Sequence, residues 1–324
     1  LLYLIHSYLF FKIPLFKPDN FLSKTSKYVK YFGSKQFRNI TYLFGFVGLF
    51  LVIQQLETFK STFLYFFSFQ GLMLYFFTLV FVKCLHELGH AYIANHYGCR
   101  VSAIGIAFLV FFPFLYTDTT DAWRLRNHKE RLLINFGGIL TELHLALFAT
   151  FIWGILPEGG YKSAAFFIAT TSWISSVTIN VSPFMRFDGY YVFSDWLKAE
   201  NLQPRSFALA RWKIRETLFG FNHTPPEEIN PSRRWTFIVY AWATWLYRFF
   251  LFLGIALLVY HLAFKFLGII LFVIEIYWFI MLPIFREFNN WYQLRSEIKL
   301  NKQTKRTLIV ITTLLMVLLI PWKS

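Results

Sequence analysis

The chain is short of charge. Asp, Glu, Lys and Arg make up 15% of its 324 residues, where a soluble globular protein carries about a quarter. Acidic residues are the scarcer kind, 17 against 32 basic, for a formal charge of +15. The two cysteines, Cys84 and Cys99, form no CxxC pair and cannot build a disulfide framework. They read as small packing residues on the reducing side of a membrane. No internal repeat or low-complexity tract is evident. These absences exclude an ordinary soluble enzyme and a disulfide-stapled secreted domain.

What the chain has instead is apolar surface. It is 56% hydrophobic and 22% aromatic, with 42 Phe, and its mean hydropathy is +0.47. A helix needs about 20 mostly apolar residues to cross a bilayer. Such runs fall at 40–56, 62–97, 132–156, 164–184, 236–262, 266–284 and 307–321. The expected fold is therefore an all-α membrane protein with about seven transmembrane helices. Residues 1–39 read as a cytoplasmic or interfacial segment, 40–197 as a catalytic core, 198–234 as a cytoplasmic loop and 235–324 as C-terminal helices. Val101–Tyr116 is apolar but broken by Gly105 and Pro113. It reads as a small β or re-entrant insertion, since irregular backbone at membrane depth must be buried in protein.

Lys and Arg sort with these runs. They crowd 12–38, 83–131, 186–234 and 286–306, while the opposite side holds Lys60, Lys162, Lys265 and Lys323. Positive residues stay on the cytoplasmic side. The N-terminus is therefore expected in the cytoplasm and the C-terminus outside. The excess charge then faces anionic lipid, and nucleic acid is not an expected partner.

His86-Glu87-Leu88-Gly89-His90 is an HExxH motif. On a helix, residues four apart share a face, so His86 and His90 can offer two imidazoles to one zinc ion. Glu87 beside them is placed to take a proton from water that the ion acidifies. The motif ends a membrane span, where such polar groups are costly unless they serve a function. A catalytic zinc takes three protein ligands and keeps one position open. Asn180-Val181-Ser182-Pro183-Phe184-Met185-Arg186-Phe187-Asp188-Gly189 closes the fourth span at the same depth. Asp188 is the candidate third ligand. Pro183 and Gly189 break the helix and let the backbone turn it inward. Asn180 is placed to bond a substrate backbone or to orient a ligand.

With both motifs in view, the chain resembles the site-2 protease family of intramembrane zinc metalloproteases, over roughly residues 40–197. That family pairs HExxH on one span with Asn-x-x-Pro…Asp-Gly on another. The resemblance implies one zinc held by His86, His90 and Asp188, with Glu87 as catalytic base and Asn180 and Pro183 on motif positions. Two positions depart from the pattern. Met185 stands where the family often has a second proline. Gly138-Ile139-Leu140-Thr141-Glu142 stands where it often has Gly-Pro-x-x-Asn. Tyr116–Trp123 resembles a stretch in bacterial members described as peptide zinc metalloproteases. That likeness implies a bacterial inner or cell membrane, a link to peptide processing or export, and an export or membrane-fusion partner. The expected substrate is a transmembrane or membrane-associated peptide, held unwound by strand addition to the Val101–Tyr116 segment.

Glu142 and His144 are expected near the site, Glu142 as support or substrate contact. Arg248 and Glu275 fall near the midplane of antiparallel spans and are expected to pair, because a lone charge there is costly. Two rival functions remain: a non-proteolytic export component with a relic metal site, and a metal or solute transporter. The presence of Glu87 speaks against the relic. The few polar residues in the outer halves of the spans speak against transport.

Overall fold

The computed structural model describes residues 10–64, 68–109, 112–262 and 265–319. Residues 1–9 of the expected interfacial segment, Lys323 and the end of the last expected span lie outside them. The chain packs as two compact units, Leu1–Ala199 and Glu200–Ser324.

The first unit contains helices α1 (Asp19–Val29), α2 (Lys35–Gln54), α3 (Leu56–Leu64), α4 (Phe69–His96), α5 (His128–Ile155), α6 (Gly160–Trp173) and α7 (Asp188–Trp196). The long helices begin at side-chain caps, which satisfy backbone N–H groups that the first turn leaves open. Phe37 N–H donates to Ser34 at 3.1 Å, Gly71 N–H to Ser68 at 3.0 Å, and Lys129 N–H to Asn127 at 3.0 Å. Helix α5 packs against α2, α4, α6 and α7. Its close approaches run through glycine. A Cβ on Gly48 of α2 would stand 2.6 Å from the backbone nitrogen of Phe151 on α5. One on Gly89 of α4 would stand 2.6 Å from the carbonyl oxygen of Gly137. Small residues let apolar helices approach backbone to backbone where no water drives them together.

Helix α6 runs into a π-helical turn, Ile174–Asn180. Val181 N–H donates to Ser176 O at 2.8 Å, one residue wider than an α-helical bond. The chain then breaks away, and α7 starts at Asp188.

Three strands, β1 (Phe10–Phe16), β2 (Ile104–Leu109) and β3 (Phe112–Thr117), form an antiparallel sheet in the order β1-β2-β3. Strand β1 occupies part of the expected interfacial segment. Its partner lies far along the chain, so no local signal marks it. Pro14 is tolerated because β1 is an edge strand. It faces Gly105, where a Cβ would lie 2.1 Å from Ile13 O.

The second unit contains α8 (Leu202–Phe219), α9 (Pro231–Leu262), α10 (Lys265–Glu275), α11 (Leu282–Gln293) and α12 (Lys302–Leu319), with a π-helical turn, Ile276–Met281, joining α10 to α11. Helix α8 lies inside the expected 198–234 loop. It buries Leu202, Ser206, Leu209 and Ala210, one helical face. Gly220, at φ 60, ends it in the left-handed region that glycine adopts without strain.

The expected Arg248–Glu275 contact is a correction. No ion pair joins the two among the described residues. Glu275 lines a small cavity with Phe249, Phe252, Leu253 and Phe272, and its Oε2 is buried without a hydrogen-bond partner. The Arg248 guanidinium instead lies over the Phe207 ring of α8, 5.8 Å from its centroid. Phe249, Phe252 and Leu253 line the cavity with Glu275, while the Arg248 guanidinium takes the face of the Phe207 ring.

Five described helices are long and apolar enough to cross a membrane: Lys35–Gln54, Phe69–His96, His128–Ile155, Pro231–His261 and Gly268–Gln293. They leave large apolar side chains bare, such as Phe46 at 74% and Phe69 at 76% exposure. Patches of that kind belong against lipid.

Candidate metal centre

Three donor atoms converge in the first unit. His86 and His90 lie one turn apart on α4, and Asp188 opens α7. His86 Nε2 stands 2.9 Å from Asp188 Oδ2, His90 Nε2 stands 3.4 Å from the same oxygen, and the two nitrogens are 3.2 Å apart. Ligand atoms held about 2.0–2.1 Å from a tetrahedral zinc stand roughly 3.3 Å from one another. The observed triangle has that size.

Proton placement agrees. His90 Nδ1 lies 2.7 Å from Ile134 O, a carbonyl that can only accept. That nitrogen therefore carries the proton and Nε2 the lone pair. His86 Nδ1 faces Glu142 Oε1 at 3.0 Å, close enough to bond though off the ideal axis. Asp188 Oδ2 is buried without a hydrogen-bond partner. With these tautomers, three lone pairs meet and no proton lies between them. A bound cation completes such an arrangement.

Gly138 of α5 forms the wall. A Cβ there would stand 2.3 Å from His86 Nε2 and 2.5 Å from His90 Nε2. The donor set and this cleared space fit one zinc ion. Glu87 sits half-buried between the two histidines on α4. Its backbone carbonyl accepts a 3.0 Å bond from Thr117 Oγ1, which ties β3 to the motif helix.

Glu142 is fully buried on α5 and lies within reach of four polar groups. Lys83 Nζ donates to Oε1 at 2.8 Å, Ser175 Oγ to Oε1 at 3.2 Å, and Asn180 Nδ2 to Oε2 at 2.9 Å; His86 Nδ1 is the fourth neighbour. A buried carboxylate stripped of its partner ion typically destabilises a fold by about 3–5 kcal/mol, so these contacts constrain the site strongly. Asn180 reaches the network because the π turn brings it and Ser175 to the same side.

Pro183 and Gly189 flank Asp188 in sequence and line an apolar cavity of about 200 Å³ with Phe136, Ile139 and Phe193. A Cβ on Gly189 would meet Val181 O at 2.3 Å, so glycine lets α7 start against the preceding segment. His144 turns away from the site. Its Nδ1 lies 2.6 Å from Leu140 O, and its ring stacks on Phe37. Asp118 is held by Ser102 and Thr120, and Asp121 accepts from Arg100 N–H at 2.8 Å, so both serve the turn after β3.

The sequence reading missed Lys83, Ser175 and the steric role of Gly138. For Lys83 a signal existed: a lysine inside an apolar helix, three residues before His86. Nothing in the sequence marked Ser175, whose place depends on the π turn.

A bilayer-length helix presenting two imidazoles to a partly buried aspartate, around a space of zinc size, is the construction of a membrane metallopeptidase. The chain belongs to peptidase family M50, whose family model matches residues 71–320. This is the site-2 protease family, and membership implies intramembrane metalloprotease activity. Comparisons with curated proteins and with solved structures found no match.

Proposed function

We propose that the chain is a zinc endopeptidase that cleaves membrane-embedded or membrane-associated polypeptides. The convergence of His86, His90 and Asp188 next to Glu87 carries this reading. The three ligands would hold one zinc ion, which supplies a Lewis acid to polarise the scissile carbonyl and acidify the attacking water. Glu87 takes the water's proton and returns it to the leaving amine. A helical substrate must unwind first, because its carbonyls are engaged in its own hydrogen bonds. Strand β3, joined to Glu87 through Thr117, offers an edge to which the unwound segment adds. Pro113 fits an edge strand if its nitrogen faces away from β2, and the period of two aims Leu115 N–H the same way. Leu115→Pro should therefore lower cleavage while leaving zinc binding intact, and unchanged cleavage would refute strand addition.

We take α6 with its π turn, and α12, as completing seven spans in a bacterial cell membrane, with the N-terminus cytoplasmic and the C-terminus outside. Strands β2 and β3 form the insertion that follows the motif helix. A link to peptide processing or export, with an export or membrane-fusion partner, rests on the Tyr116–Trp123 stretch.

The test is proteolysis of membrane-spanning peptides by the purified chain and by Glu87→Gln. Cleavage by the wild type, lost in the variant with zinc retained, is the expected result. Equal cleavage by both would remove Glu87 from the mechanism, and cleavage by neither of a broad peptide library would sink the enzymatic reading.

A further inference from the structure

The metal centre is held from behind by a carboxylate that the family pattern does not lead one to expect. Glu142 stands where asparagine is common, and it reaches both sides of the site at once. Its Oε1 faces His86 Nδ1 at 3.0 Å, and its Oε2 accepts from Asn180 Nδ2 at 2.9 Å. A carboxylate only accepts, so each contact fixes an orientation. On the metal side, His86 turns Nδ1 toward Glu142, close but off the ideal bonding axis, and this leaves Nε2 for the ion. On the other side, the amide nitrogen of Asn180 must face Glu142. Its second proton points to Ser175 Oγ at 3.4 Å, so the carbonyl oxygen is the group that Asn180 can offer to a substrate N–H. Lys83 Nζ, 2.8 Å away, supplies the opposite charge that makes a fully buried carboxylate tolerable.

Resting on the zinc-peptidase reading above, we propose that Glu142 is a positioning residue: it sets which ring nitrogen of His86 faces the metal and which end of the Asn180 amide faces the substrate, with Lys83 as its counter-ion. A plain helix-to-helix ion pair between α4 and α5 would have no such effect on the metal.

The test compares zinc dissociation constants and unfolding temperatures of the detergent-purified wild type, Glu142→Gln and the double variant Lys83→Met/Glu142→Leu. The double variant replaces the ion pair with apolar side chains of similar length and leaves no lone buried charge. Zinc affinity is expected to fall about 10- to 100-fold in each folded variant, the usual consequence of losing the partner behind a ligating histidine. Affinity within about twofold of wild type in either folded variant overturns the proposal. A second measurement needs no variant. Histidine ¹⁵N spectra of the zinc-loaded wild type must show His86 metallated at Nε2 and protonated at Nδ1, and metallation at Nδ1 overturns the proposal. A wild type that binds no zinc, or binds it as tightly after His90→Ala, is a different result: it removes the metal site itself, and this inference with it.

Discussion

At Gly138 a single added methyl group would occupy the space that the metal needs. The built Cβ falls 2.3 Å from His86 Nε2, well inside any tolerable contact, and the rings cannot retreat without leaving Ile134 O and Glu142. Gly138→Ala is therefore expected to weaken zinc binding by about 100-fold, the upper end of what losing ligand support costs, while helix content by circular dichroism stays unchanged. Zinc binding at wild-type strength would show that the ion sits elsewhere. Among single residues, the convergence of His86, His90 and Asp188 was legible because their spacing carries chemistry. Glu142 was legible as a charge that had to be near something. Lys83 was hidden by being counted with the cytoplasmic positive charges, although it lies within α4 and points to Glu142.

At the scale of elements, the π turn is the device that brings Ser175 and Asn180 onto one side. Hydropathy sees an apolar run through 164–184 and cannot register one extra residue per turn. Inserting one residue between Ser175 and Asn180 should turn Asn180 by about 100° away from Glu142. Cleavage is expected to fall at least about tenfold, with the protein still folded by circular dichroism; full activity would mean that the turn is incidental. Strand β1 escaped the sequence reading because its partner is distant, and α8 escaped because its buried face is short and set among polar residues. Gly105→Val should drive β1 off β2 and raise hydrogen exchange across 10–16, whereas unchanged protection there would contradict the tight approach at Ile13 O. Asp118, after β3, adds a pH effect. Hydrogen bonds from Ser102 and Thr120 hold its carboxyl below the usual range. Its contribution to stability is therefore full above the unfolded value and lost as pH falls through the lower folded value. Asp118→Asn should flatten that acid limb in thermal unfolding, and an unaltered limb would assign the acid sensitivity to other groups.

For the whole molecule, composition alone indicated a membrane protein, because five helices of spanning length cannot hide their apolar faces in a chain this size. Orientation is a separate matter, argued from Lys and Arg. In a background with Cys84 and Cys99 replaced, cysteines at Lys60 and Tyr161 should react with an impermeant reagent from outside, and those at Arg100 and Arg211 from the cytoplasm. The reverse pattern would invert the topology.

On the proposed function, two imidazoles of α4 and the first carboxylate of α7 hold one catalytic zinc. Zinc-edge X-ray absorption on the purified chain, with metal content measured beside it, tests this most directly. The expected result is about one zinc per chain, with two imidazole nitrogens and a carboxylate oxygen at about 2.0–2.2 Å, and loss of the ion in His86→Ala and Asp188→Asn. A thiolate ligand, or full zinc retained in both variants, would contradict it.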